Sequence, residues 1–162
     1  MKKALLPSFV ILAVIAVDQA LKIWISRTFP LYTVKVLIPK VLEFAYLHND
    51  GAAMGMLSGS RWYLIGVTVL LLAGCVGYLI FGKQKTVLLQ FSLALIAGGG
   101  IGNLIDRIYL GYVVDFVRFP ISWFSYSFNI ADCAVCIGCG LLVLDLLLDI
   151  KRTKSASKSK VE

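Results

Sequence analysis

Two carboxylates in this chain sit where solvation does not explain them. Asp115 lies in Val113-Val114-Asp115-Phe116, an acid inside an apolar run. Asp132 lies in Phe128-Asn129-Ile130-Ala131-Asp132, one turn inside a long hydrophobic segment. Neither has a basic residue four positions away, although Arg118 would neutralise Asp115 if that stretch were helical. Two half-buried carboxylates that approach each other do not easily both ionise, so one keeps a proton. One then serves as base and the other as acid, and the protons belong to the pair. That is the equipment for activating water against an amide bond.

Other groups offer less. His48 is the sole histidine, too few for a metal site, and it reads as a surface group of a loop. Cys133, Cys136 and Cys139 recur every third residue near one helix face. With no fourth ligand nearby and apolar surroundings they read as small packing residues, so neither metal nor cofactor is expected. A serine–lysine pair is not singled out among Ser58, Ser60, Ser122, Lys35 and Lys40. Gly98-Gly99-Gly100-Ile101-Gly102 lacks the ending of a phosphate loop. Its Gly98 and Gly102 instead suit close helix contact in lipid. Gly51-Ala52-Ala53-Met54-Gly55, beside Asn49, suggests backbone passing close to something. Glu43 is expected on the solvent side of a strand, and Asp145 and Asp149 as solvated or paired flank charges.

The elements that position these groups are membrane helices. Of 162 residues, 59% are hydrophobic and 15% charged, and the mean hydropathy is +0.87. A water-soluble enzyme usually carries about 25% charged residues. Apolar runs predict spans at about 4–25, 62–82, 86–105 and 128–148, each near the ~20 residues that a bilayer requires. The amino-terminal run reads as a span, not a cleaved leader, because more membrane helix follows it. The fold class is therefore an all-α membrane protein of four transmembrane helices in a single domain. Residues 28–60 form an outer loop in which Val34–Ile38 and Glu43–Leu47 have strand character, a small extracytoplasmic β element between the first and second helices.

The net charge of +7 does not point to nucleic acid, because five basic residues crowd the last twelve positions, within a basic tail over 151–162. That is a cytoplasmic membrane flank. With an even number of spans the termini and the short link at Lys83 and Lys85 share a side, carrying nine basic residues against seven opposite. Both termini are expected inside, with Trp24, Trp62 and Trp123 at the outer interface. Asp18 then lies about 21 Å from the inner edge, in the outer third of the bilayer. Lys22, Asn103, Asp106, Arg107, Asn129 and Asp132 gather at that depth, with His48, Asn49, Asp50 and Asp115 in the outer loops. Asp18 and Lys22, at i and i+4, suit a pair on one helix face. A transporter would place such groups near the midplane, and a structural subunit has no need to collect them.

Five segments, in order, carry a family resemblance: Asp18-Gln19-Ala20-Leu21-Lys22, Asn49-Asp50-Gly51-Ala52-Ala53, Gly102-Asn103-Leu104-Ile105-Asp106-Arg107, Val113-Val114-Asp115-Phe116 and Phe128-Asn129-Ile130-Ala131-Asp132. Together with length and layout, the chain resembles bacterial lipoprotein signal peptidase (signal peptidase II). The resemblance implies an aspartic endopeptidase of the bacterial cytoplasmic membrane, working near its outer face. It would cut diacylglyceryl-modified prolipoproteins on the amino-terminal side of the lipid-bearing cysteine; separately, a monomer among membrane lipids is expected. It implies catalytic roles for Asp115 and Asp132, a pocket of Asn49, Gly51, Asn103, Arg107 and Asn129, and structural roles for Asp18, Lys22 and Asp106. Met54 and Cys133 depart from the family pattern, where an aromatic and a serine are common.

Overall fold

Backbone inside lipid has no water to bond, so long apolar segments become helices. Four form in the computed structural model of this chain, which describes residues 2–52, 56–82, 86–121 and 124–158. They are α1 (Lys2–Thr28), α2 (Arg61–Phe81), α3 (Val87–Tyr109) and α4 (Ile130–Lys158). Each contains an apolar stretch of 21–24 residues, enough to cross a ~30 Å hydrocarbon core. Trp24 and Trp62 are exposed, near the end of α1 and the start of α2; Trp123 lies outside the described residues.

Helix α3 is the central one, packed against α1, α2 and α4. Its glycines make this possible, since helices in lipid associate by close packing where small residues let backbones approach. A Cβ on Gly98 would meet Val14 Cβ of α1 at 2.9 Å, and one on Gly99 would collide with the Ala131 carbonyl of α4. One on Gly102 would stand 2.7 Å from Asp18 Oδ2 and 3.3 Å from Ala131 Cβ. Gly102→Ala therefore pushes α1 and α4 apart beside the buried polar groups. It should cost about 1–3 kcal/mol, read as a lower melting midpoint in detergent. The cysteines of α4 do not share this role. Cys136 and Cys139 are exposed, and it is Gly138 that faces α3, against Ser92 and Ile96.

The β element is larger than expected. Strands β1 (Val34–Ile38) and β2 (Leu42–Asn49) are joined by β3 (Val113–Ile121) and β4 (Phe124–Phe128). The four run antiparallel in the order β1-β2-β3-β4. Two strands alone make a marginal sheet; the second hairpin, from the α3–α4 connection, completes it. Strand alternation sends Val114 and Phe116 to one face, where they join Tyr46 and Ile25 of α1 in a buried cluster. Asp115 points to the other face. The stretch around Asp115 is thus not helical, and Arg118 does not neutralise it. Arg118 instead pairs with Glu43 across β2 and β3, its Nε donating at 2.8 Å, so Glu43 is a cross-strand partner and not a solvated charge. Asp145 also departs from expectation. It is 7% exposed and accepts the Thr86 hydroxyl at 2.5 Å, tying α4 to the residue that caps α3.

Candidate active site

Asp132 is fixed by the start of its own helix. Asn129 precedes α4, and its side-chain oxygen accepts the Asp132 N–H at 3.0 Å. Asp132 Oδ2 accepts the Asn129 N–H at 3.1 Å. This reciprocal capping pattern satisfies two otherwise orphaned amides and locks the carboxylate's rotamer. The other oxygen, Oδ1, accepts Asn103 Nδ2 of α3 at 2.7 Å.

Asp115 reaches the same place from β3. Its Oδ1 accepts Asn129 Nδ2 at 2.8 Å, and its Oδ2 accepts Asn49 Nδ2 of β2 at 3.0 Å. Asn129 is fully buried and touches both acids, one through its amide nitrogen and one through its oxygen and backbone. Gly51, two residues past β2, adjoins the site. Gly51 N–H donates to Asn49 Oδ1 at 3.0 Å, and Gly51 carbonyl accepts Arg107 Nη2 at 2.9 Å. Asn49, Asn103, Arg107, Asp115 and Asp132 line one cavity of about 60 Å³, room for more than one water molecule.

Every residue named from the sequence as catalytic or pocket-forming is thus in or against one cavity. Asp18, Lys22 and Asp106 form a buried ion-pair cluster behind it, with Lys22 Nζ 2.8 Å from Asp18 and 2.9 Å from Asp106. His48 is elsewhere. It pairs with Val114 across the sheet, so it projects to the opposite face from Asp115. There it stacks on Tyr112 at 3.7 Å and bonds the Tyr46 hydroxyl at 3.0 Å. Ala52, Val113, Tyr126 and Ser127 also line the cavity but were not anticipated. For Tyr126 and Ser127 a signal existed: Phe124-Ser125-Tyr126-Ser127-Phe128 alternates with the period of a strand. Burial and the neighbouring acids push the Tyr126 phenol up to about 12, so it stays neutral at the cavity wall.

Burial, reinforced by the charge of Asp132, pushes the Asp115 carboxyl from its ordinary 3.8 up to about 7, against the opposing pull of Asn49, Asn129 and Lys22. The folded value lies above the unfolded one. The stabilising contribution of Asp115 is therefore complete below about pH 4 and is lost as pH rises through about 7. Melting midpoints in detergent between pH 4 and 8 should show this decline, with a flatter slope in Asp115→Asn.

A second, apolar groove of about 300 Å³ lies alongside. Phe119, Tyr126, Phe128, Asp132, Cys133, Cys136 and Ile137 line it, so it shares Tyr126 and Asp132 with the first cavity.

The family model for signal peptidase (SPase) II matches residues 10–148. A lipoprotein signal peptidase of Symbiobacterium thermophilum is 41% identical over 86% of this chain and 93% of its own. One from Streptococcus thermophilus is 41% identical over 90% and 94%, and one from Bacillus pumilus 43% over 74% and 79%. A solved bacterial membrane enzyme superimposes with a TM-score of 0.83 at 32% identity, covering 90% of each chain.

Proposed function

The chain belongs to the signal peptidase II family, a multi-pass membrane peptidase of lipoprotein processing, and on that premise we propose that Asp115 and Asp132 are its catalytic dyad. The observation that carries this is their convergence, from a strand and from a helix, on one small cavity through the shared residue Asn129.

The resting dyad shares one proton; in the proposed cycle Asp115 carries it and Asp132 is ionised. Asp132 takes a proton from a water held between them as the water oxygen attacks the scissile carbonyl carbon. Asp115 gives its proton to the carbonyl oxygen, and a tetrahedral diol forms. Asp132 then passes its proton to the departing amine nitrogen while Asp115 takes one from a diol hydroxyl. The C–N bond breaks, and both acids return to their starting forms without an acyl-enzyme.

The substrate is a diacylglyceryl-modified prolipoprotein, cut on the amino-terminal side of the lipid-bearing cysteine. The apolar groove beside Asp132 supports this, since it offers hydrocarbon a place next to the water-holding cavity. The site lies at the end of the bundle that carries the sheet, opposite both termini. With the basic tail and the Lys83–Lys85 link on the cytoplasmic side, that end is extracytoplasmic. The purified chain in detergent, with chelator present, should release the signal peptide from a lipidated precursor and leave an unlipidated one intact. Mass spectrometry locates the cut. Equal cleavage of both precursors, or a cut away from the cysteine, would overturn the substrate assignment.

A further inference from the structure

The cluster behind the cavity has a specific connectivity. Asp18 Oδ1 accepts the N–H of Ala131, the residue before Asp132, at 3.0 Å. Asp106 Oδ2 accepts the N–H of Val114, the residue before Asp115, at 3.1 Å. Each buried acid therefore holds the backbone amide next to one member of the dyad. Lys22 joins them, with Nζ at 2.8 Å from Asp18 and 2.9 Å from Asp106. Its third proton goes to Asn103 Oδ1 at 3.0 Å. An ammonium has three donors, and all three are used. The Asn103 contact matters because an amide can be flipped. With Lys22 and Asn129 both donating to its oxygen, Asn103 must turn its NH₂ toward Asp132.

We propose that Lys22 is a positioning residue of the dyad, a yoke that sets the spacing of Asp115 and Asp132 through Asp106 and Asp18 and orients Asn103 against Asp132. A merely structural ion pair on α1 does not need this arrangement. Asp18 and Lys22 satisfy each other within one helix, yet the bonds run on to three other elements and end beside both catalytic acids. The inference rests on the dyad assignment above.

The variant Lys22→Met keeps the length of the side chain and removes all three donors. It should lower kcat of folded enzyme by about a hundredfold, the scale of an ångström-level misplacement. KM should stay within about threefold, since the substrate does not touch Lys22. The pH profile should move upward, because the cation that favours ionised carboxylates is gone. The charged and titratable groups facing the dyad are Asp18 and Lys22 of α1, Asp106 and Arg107 of α3, Tyr126 of β4 and Cys133 of α4. Removing Lys22 alone leaves Asp18 and Asp106 uncompensated and endangers folding. The double variant Asp18→Asn/Lys22→Met restores the original net charge of the cluster while leaving the yoke broken. It should recover folding and the pH profile but not kcat. Recovery of kcat in the double variant would show charge balance alone, and wild-type kcat in Lys22→Met would show that turnover does not depend on Lys22; either result overturns the proposal. Loss of activity in Asp115→Asn and Asp132→Asn alongside such a result would leave the dyad standing and remove only the yoke.

Discussion

Cleavage of a lipidated precursor falls about 10⁴-fold or more when either Asp115 or Asp132 is replaced by asparagine, while the protein still inserts and melts cooperatively. The magnitude follows from removing one of two groups that exchange protons with the reacting atoms, each step of which contributes 10²–10⁴ and which together act as a unit. Asparagine preserves size and shape, so the cavity of about 60 Å³ survives. What it cannot do is take a proton from water or return one to an amine. The structural cost is modest. In Asp115→Asn the oxygen facing Asn129 still accepts its 2.8 Å hydrogen bond. The new NH₂ meets another amide donor, a penalty of about 1–3 kcal/mol for an unsatisfied buried group. Cleavage assayed by mass spectrometry, beside a melting curve of the same sample, separates the two effects.

The second large effect belongs to a residue that moves no proton. Asn129→Ala should cost both stability and rate. The fully buried amide donates to Asp115 and to Asn103 and accepts the Asp132 N–H. Loss of the cap on α4, which orphans the Asp132 amide, costs about 1–2 kcal/mol, while the Asn103 oxygen keeps its Lys22 donor. The rate should fall by about 10²–10³-fold, because Asp115 loses the Asn129 donor that holds it and Asn103 loses one of the two donors that orient it against Asp132. Asn129→Asp tests the same point differently. It keeps a cap but puts a third carboxylate against the pair, and it should not rescue activity. Recovered cleavage in Asn129→Asp would mean that capping alone is what Asn129 supplies.

Much of this site was legible before any coordinates. Long, mostly apolar runs fix the helices, because lipid leaves the backbone no alternative. Once the spans are counted, helix rise places Asp18, Lys22, Asn103 and Asp132 at a common depth. The glycines of α3 were readable for the same reason, since spacing along a helix decides which residues share a contact. The sheet was legible only in part. Val34–Ile38 and Leu42–Asn49 are close in sequence and flank a turn, whereas the pairing of β2 with β3 joins residues some seventy positions apart. No local pattern announces a non-local partner. The reach of Arg118 to Asp115 depended on a helix, and the β2–β3 pairing replaces that helix with a strand in which Arg118 meets Glu43. Tyr126 was missed because the hairpin that brings it to the cavity was unseen. Asp145 was misjudged for another reason. Its partner Thr86 starts a different helix, and a burial of that kind depends on how α3 and α4 pack.

The departure at Cys133 now has a place. It lines the apolar groove next to Asp132 and not the smaller cavity that Asp115 and Asp132 share. Met54 lies outside the described residues.

The most direct test compares the double variant Asp115→Asn/Asp132→Asn with the two single variants, using the residual rate of lipidated-precursor cleavage. Groups that share one water and one proton fail together, so the double variant should be no slower than the slower single by more than about threefold. Losses that multiply, or substantial turnover in either single variant, would mean that the two carboxylates work separately and that the water is activated elsewhere.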